Sequence, residues 1–514
     1  MTAESILSRV MLAFEGDRLP PSVEERFARA PVAGITTYLS NNVRSPGQLR
    51  ELTDAVQAVG ARAGWASGPL LIAADQEGGQ LNGLGEGTTW FAGNMALGAV
   101  DDTGLTERVG LAIGREARAM GVNVVYAPVM DLASERLNTA MGTRSFGDDP
   151  ALVGRHGAAL VRGLQAAGAA ATVKHFPGLG AATADTHHEV ASVPGASDDL
   201  APFGEAIAAG ARMAMSAHVA VPSLTGHASL PATLSRAVMT DTLRGDLGFR
   251  GVSITDALDM RALAQGPAQA VDIIAAIRAG IDLMLASANP TALGRTEETL
   301  VSAAARGLFD EDEIAASSAR LDELRAWLAA AGPAPSLDVV GGAEHRALSR
   351  ELAERALTRI DDGPPIAWSA DTRILAIMAR PTELTPADTS GVVTPGLGRA
   401  LRTRFASVEE VVVDPSPSKT DIAALRESAS VFDAVVIGTI EAHRQPAQLA
   451  LVRALAGTGR PLVAAALRTP WDCPRFPAGV PAVCTYSILP DPLDALARAL
   501  AGDIGFAGRS PVAL

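Results

Sequence analysis

Lysine is nearly absent from this 514-residue chain: Lys174 and Lys419 are the only two among 43 cationic residues, the rest being arginine. A composition that replaces lysine wherever either cation serves makes each surviving lysine worth inspecting. Cysteine is equally scarce. Cys473 and Cys484 are too few for a disulfide framework and stand in no zinc spacing, so two buried thiols in a reducing compartment are expected. No Lys/Arg-rich block occurs and the net charge is -14, which leaves out the electrostatic footprint of a nucleic-acid or anionic-membrane binder. No stretch approaches the roughly 18 uncharged apolar residues of a membrane span, and the first residues lack a basic run followed by an apolar one. A soluble, cytoplasmic protein acting on a small or neutral ligand is expected.

What is present is a 48% hydrophobic chain long enough for two large domains. Short apolar runs rich in β-branched residues recur at 10–14, 34–39, 70–75, 122–128, 170–175, 213–218, 251–255 and 281–285, separated by stretches of helical period. Eight strands alternating with helices predict a (β/α)8 barrel of the TIM type, with long inserts at 78–121 and 132–168. Helical sequence runs over 312–328 and is broken by Ala-Gly-Pro-Ala-Pro-Ser at 331–336. The expected division is a barrel over 1–331, a linker over 332–344 and a second domain over 345–514. That domain opens with a helix around 345–360, and five further segments at 373–378, 408–413, 434–438, 462–467 and 482–486 predict a doubly wound α/β sandwich.

Five of the first eight strands end in chemically capable residues: Asp75, Asp131, Lys174 with His175, His218, and Asp256. A barrel places its active site at those ends. Any one of them could equally be a helix cap or a hydrogen-bonded core histidine; together they exceed what a solvated rim requires. After Lys174-His-Phe-Pro-Gly, a loop presents Asp185, His187 and His188. A carboxylate two residues from an imidazole can hold one ring nitrogen and free the other for proton transfer. A polar surface loop and a metal site using His187 and His188 are the competing readings, the latter without the usual i, i+4 pairing or a cysteine companion. Asp256 follows the apolar Gly251-Val-Ser-Ile-Thr and is either a nucleophile or the cap of a helix over Ala257-Leu-Asp-Met. A carboxylate nucleophile beside a proton donor is the arrangement for glycoside cleavage with retention.

Asp75-Gln-Glu-Gly-Gly, Ala127-Pro-Val-Met-Asp131, Arg144-Ser-Phe-Gly-Asp-Asp-Pro150, Lys174-His-Phe-Pro-Gly, Asp185-Thr-His187 and Thr255-Asp-Ala-Leu-Asp-Met260 resemble, in order and spacing, the two-domain bacterial β-N-acetylglucosaminidases of glycoside hydrolase family 3. The resemblance covers most of residues 5–330. It implies that Asp256 is the nucleophile and that His187, oriented by Asp185, is the general acid/base. It implies that Asp75, Arg144, Lys174 and His175 bind sugar hydroxyls and that Asp131 and His218 line the site. No metal or other cofactor is implied, and the partner is a small carbohydrate, with the protein a monomer or a homodimer. The activity implied is a retaining exo-β-N-acetylglucosaminidase acting on muropeptide or chitin oligosaccharide fragments. Three other readings stand beside it: a phosphorylase using the same residues, a family 3 β-glucosidase with Glu441 as acid, and a sugar-binding protein that has lost catalysis. Glu441 precedes Ala-His-Arg at an apparent helix start, where a capping carboxylate is the ordinary explanation. The sequence departs from the family pattern at four positions: Gln80 and Gly83 stand where arginines are usual, Leu179 where the family commonly has histidine, and Thr186 where serine is commoner, a change that keeps the hydroxyl.

Overall fold

The computed structural model describes residues 5–65, 67–183, 186, 190–195 and 197–514. The first eight strands are β1 (Val10–Leu12), β2 (Gly34–Thr37), β3 (Leu71–Ala74), β4 (Val124–Val125), β5 (Ala170–Phe176), β6 (Met213–Ser216), β7 (Val252–Thr255) and β8 (Met284–Leu285). Each is buried along its whole length, which is why these segments read as continuous apolar runs rather than alternating ones. They pair in parallel in the order β7-β6-β5-β4-β3-β2-β1-β8, and a bridge between Ile254 and Leu283 closes the ring. Period two still decides what each residue does: Leu71 and Ala73 fill the barrel, while Ile72 and Ala74 face the surrounding helices. Leu321, Leu324 and Leu328 of the helix Glu311–Ala330 join the interior cluster. Asp282, at the entry to β8, is fully buried against Arg244 and Arg320 at 2.7 and 2.6 Å.

The helices start where sequence places caps. Ser45, Asp149 and Asn289 each accept amide hydrogen bonds at an N-cap, and a proline follows each as the first helical residue.

The second unit is a six-stranded sheet: β9 (Thr358–Arg359), β10 (Arg373–Ala379), β11 (Ser407–Val413), β12 (Ala434–Thr439), β13 (Leu462–Ala466) and β14 (Ala482–Cys484), in the order β9-β14-β13-β12-β10-β11. Five of its strands are parallel, a doubly wound arrangement. The sixth was not expected. The helix that the periodicity carries to residue 360 ends at Ala356, and Thr358 and Arg359 pair antiparallel with Cys484 and Val483. Two residues are too short to show a period. Cys473 and Cys484 are both buried and unbonded to each other.

The two units are fastened closely. The helix Ala343–Ala356 packs between the inserted helices of the barrel and the helix Pro490–Leu500. The buried Glu116 carboxylate accepts from the Thr89 amide and hydroxyl, the Gly341 amide and His345 Nδ1. The final residues return to the barrel, where the Asp148 amide donates to the Pro511 carbonyl and the Ala513 amide to the Asp148 carboxylate. Among the described residues no helix is long and apolar enough to cross a membrane.

Candidate active site

Parallel strands in a closed barrel bring their C-terminal ends to one rim. β3 delivers Asp75 there, β5 Lys174 and His175, and β7 Asp256, and all four line a cavity of about 730 Å3 together with Arg144 from the long insert after β4. Thr186, 2% exposed, is also part of the wall. Its neighbours Asp185 and His187, and the alternative metal ligand His188, lie outside the described residues. Among the described residues no cluster of three or more His, Cys, Asp or Glu is arranged to hold a metal ion.

The cavity floor is a chain of alternating charge. Lys174 Nζ lies 2.6 Å from Asp75 Oδ1 and 2.5 Å from Glu77 Oε1. Glu77 in turn accepts a fork from Arg144, Nε to Oε2 and Nη2 to Oε1, both 2.9 Å. Arg144 Nη2 also stands 3.3 Å from His175 Nε2, and His175 Nδ1 is 2.7 Å from Asp131 Oδ2. A guanidinium can only donate and a carboxylate only accept, so His175 carries its proton on Nδ1 and accepts at Nε2. Burial alone would push the Glu77 carboxyl up, but Arg144 and Lys174 outweigh it and hold it down at about 2. Lys174, wholly buried, is nonetheless held above the usual lysine value, because Asp75 and Glu77 overcome the cost of desolvation. Asp75, 25% exposed, is where this chain opens to a ligand, which leaves a carboxylate acceptor facing the cavity over fixed cations.

Asp256 sits at the mouth of β7, its Oδ1 accepting from the Ala257 amide at 2.8 Å. No helix follows it: residues 257–263 form turns, so the helix-cap alternative is not realised. His218 and Asp131 do not line the cavity. His218 is buried behind Asp256, its Nδ1 2.8 Å from Thr233 Oγ1 and its Nε2 donating to the Ala257 carbonyl at 3.1 Å. Burial holds its imidazole below the usual value despite the Asp256 charge. It therefore anchors the peptide that carries the carboxylate. Asp131 is fully buried beneath His175 and also takes the Leu179 amide at 2.6 Å. Strand-end position alone does not tell a wall residue from one a layer deeper.

Glu77 is the residue that strand-end inspection overlooks. Its signal lies in Asp75-Gln-Glu: on the extended segment Gln76–Gly78, residues two apart face the same side. The second unit's share of the wall, Glu383, Asp388 and Thr389 among others, carried no signal in sequence. The loop bearing them is held to the barrel at the Gln80 carbonyl, which accepts from the Thr389 amide and hydroxyl at 2.8 and 3.0 Å. Arg468 pairs with Asp388 at 2.9 Å on the same loop.

At Gly83 there is no room for the family arginine, and at Gln80 the side chain is turned inward. A Cβ on Gly83 would lie 2.2 Å from the Asp75 carbonyl oxygen, and Gln80 is buried, its Oε1 accepting from Thr143 at 3.2 Å. Leu179 joins the cavity wall.

Glu441 does not line this cavity. It occupies the residue before the short turn Ala442–Arg444 with φ at 53°, but makes no cap; its Oε1 accepts from Thr469 at 2.9 Å and its Oε2 is 3.6 Å from His443.

Residues 11–324 match the family model described as the glycosyl hydrolase family 3 N-terminal domain. The chain is 35% identical over 376 residues to a beta-hexosaminidase A of Pseudoalteromonas piscicida, covering 67% of this chain and 62% of that protein's length. It is 35% identical over 329 residues to a beta-hexosaminidase of Xanthomonas campestris, covering 60% of this chain and 96% of that one. Among solved structures, it superposes with a TM-score of 0.93 and 32% identity on a glycoside hydrolase family 3 beta-N-acetylglucosaminidase from Paenibacillus sp. str. FPU-7, covering 100% of this chain and 99% of that one.

Proposed function

This chain belongs to glycosyl hydrolase family 3, and from that premise we propose that it is a retaining exo-β-N-acetylglucosaminidase releasing non-reducing terminal N-acetylglucosamine from muropeptide or chitin oligosaccharide fragments in the cytoplasm. The observation that carries this reading is the convergence of Asp256 with the Asp75–Lys174–Glu77–Arg144–His175 chain on one cavity. An uncharged, polyhydroxylated ring needs fixed donors and acceptors rather than a compensating net charge, and this floor supplies both without reorganising. A single cavity of this size, walled on one side by the second unit, suits a terminal sugar rather than the middle of a polymer.

Asp256 attacks the anomeric carbon while His187, assigned as the general acid/base with Asp185 as its partner, gives its proton to the leaving oxygen. The bond from Asp256 to the sugar forms as the glycosidic bond breaks. His187 then takes a proton from water, whose oxygen attacks from the face the leaving group vacated, opposite Asp256; the sugar–Asp256 bond breaks, and two inversions retain the configuration. The β-glucosidase reading with Glu441 as acid has no support in the wall of the cavity, from which Glu441 is absent.

An aryl β-N-acetylglucosaminide tests the proposal directly. The expected result is release of the aryl alcohol by the wild type and a loss of at least about a thousandfold in kcat for Asp256→Ala. No release with or without phosphate, or unchanged turnover in Asp256→Ala, overturns it. The sugar product separates hydrolysis from phosphorolysis, since only the latter yields the 1-phosphate.

A further inference from the structure

His443 lies outside the cavity, at the seam between the units, and nothing in the glycosidase chemistry uses it. Its side chain is 5% exposed and both ring nitrogens face acceptors: Nδ1 is 2.9 Å from Asp472 Oδ1, and Nε2 is 3.1 Å from the backbone carbonyl of Arg136. A carboxylate and a carbonyl cannot donate, so only the imidazolium satisfies both contacts. Asp472 is itself fixed by the Thr439 hydroxyl at 2.7 Å and by the His443 amide at 2.8 Å. Among the described residues, the ring's hydrogen bond to the barrel is the one to Arg136.

Arg136 belongs to the barrel loop 132–149 that also carries the sugar-site arginine, Arg144. Two residues on, Asn138 Oδ1 accepts the amides of Ala140 and Met141, shaping the turn from which Arg144 projects. Arg144 Nη1 returns to the Ala140 carbonyl at 2.7 Å. Asn138 Nδ2 donates to the carbonyls of Leu179 and Gly180, on the segment that leads out of β5 toward Asp185 and His187. A contact at Arg136 is therefore two residues from the node that joins Arg144 to the exit of β5.

We propose that His443 is a positioning residue for the sugar site: by bridging Asp472 to the Arg136 carbonyl, it clamps loop 132–149 to the second unit and holds Arg144 in the cavity. The inference rests on reading Arg144 as a sugar-binding group. The charged groups facing the imidazole are Asp472 and, at 3.6 Å, Glu441 from its own unit, with Arg475 of that unit and Glu135 and Arg136 of the barrel loop sharing the adjoining cleft. Burial works against its charge, but the hydrogen bond to Asp472 and the charge of Glu441 outweigh burial and raise the pKa of His443 above its usual value. With the folded value raised, the clamp is complete at low pH and is lost as pH rises through that value.

The test pairs a spectroscopic titration with kinetics. Histidine 15N spectra, assigned by comparison with His443→Phe, are expected to show both His443 nitrogens protonated at pH 6 and a midpoint above that of free histidine; a midpoint at or below it overturns the proposal. In steady-state kinetics on the aryl β-N-acetylglucosaminide, His443→Phe is expected to raise KM about tenfold, the worth of one charge-assisted hydrogen bond, with kcat within about twofold. His443→Gln, which keeps a donor at the Nε2 position, is expected to restore a low KM that no longer varies with alkaline pH, and Asp472→Asn to move the rise in KM to lower pH. A fall confined to kcat, or a KM profile in His443→Gln identical to the wild type, overturns the clamp. A wild type silent toward the substrate overturns the glycosidase reading instead, and the spectra, read without any substrate, then decide the His443 contact alone.

Discussion

Lys174 holds its ammonium between two carboxylates in a wholly buried position, 2.6 Å from Asp75 and 2.5 Å from Glu77, and Glu77 is shared with Arg144. Removing one partner of a buried ion pair leaves charge without compensation, at a cost of about 3–5 kcal/mol. Lys174→Ala is expected to lose stability in that range, read from the urea midpoint. Lys174→Arg keeps the charge but replaces a compact ammonium by a planar fork, which cannot make both short contacts from one point. It should fold and yet show KM raised by about tenfold; a variant indistinguishable from wild type would show that the ammonium geometry is not needed. Lys174 stood out in the sequence because lysine is otherwise almost absent. Glu77 did not stand out, because its role depends on Arg144, 67 positions away in the chain.

At the scale of elements, the eight barrel strands and the central strands of the second sheet were legible because parallel strands buried on both faces read as apolar runs, while the half-exposed edge strand Ser407–Val413 was legible from its β-branched Val run. The short hairpin after β3 was not. Gln76–Gly78 and Leu81–Asn82 fold back so tightly that the Gly83 amide donates to the Asp75 carbonyl at 2.8 Å. Restoring the family arginine by Gly83→Arg therefore places a Cβ 2.2 Å from that oxygen. The expected outcome is a loss of about 1–3 kcal/mol in thermal or urea unfolding, with a higher KM, rather than a gain in sugar affinity. Tighter binding with unchanged stability would contradict it. Asp256 was ambiguous for a similar reason: whether Ala257-Leu-Asp-Met continues as a helix or as turns is decided by its contacts with β8, where the Leu258 amide meets the Leu285 carbonyl.

At the scale of the whole molecule, Glu116 is the tie between the barrel's inserted helices and the segment that leads into the second unit. Its two oxygens serve four donors, from Thr89, Gly341 and His345. Glu116→Ala strands all four in a buried place, and a loss of about 3 kcal/mol is expected, with calorimetry resolving the single transition into two as the units uncouple. One transition at the wild-type temperature would show that the remaining contacts suffice. The second unit also completes the cavity, since the loop bearing Asp388 and Thr389 is pinned at the Gln80 carbonyl and by Arg468. Sequence assigned that unit a fold and no task.

The sequence by itself determined the order of the eight barrel strands and of five strands of the second sheet, and the presence of Asp75, Lys174, His175 and Asp256 at strand ends, because burial and period are local properties of a chain. Only the tertiary structure decided which of those ends share a wall. It set Asp131 and His218 one layer back, recruited Glu77 and the loop of the second unit, and kept Glu441 out. Those outcomes depend on distances between residues far apart in the chain, and such distances exist only once the barrel has closed and the second unit has docked against it.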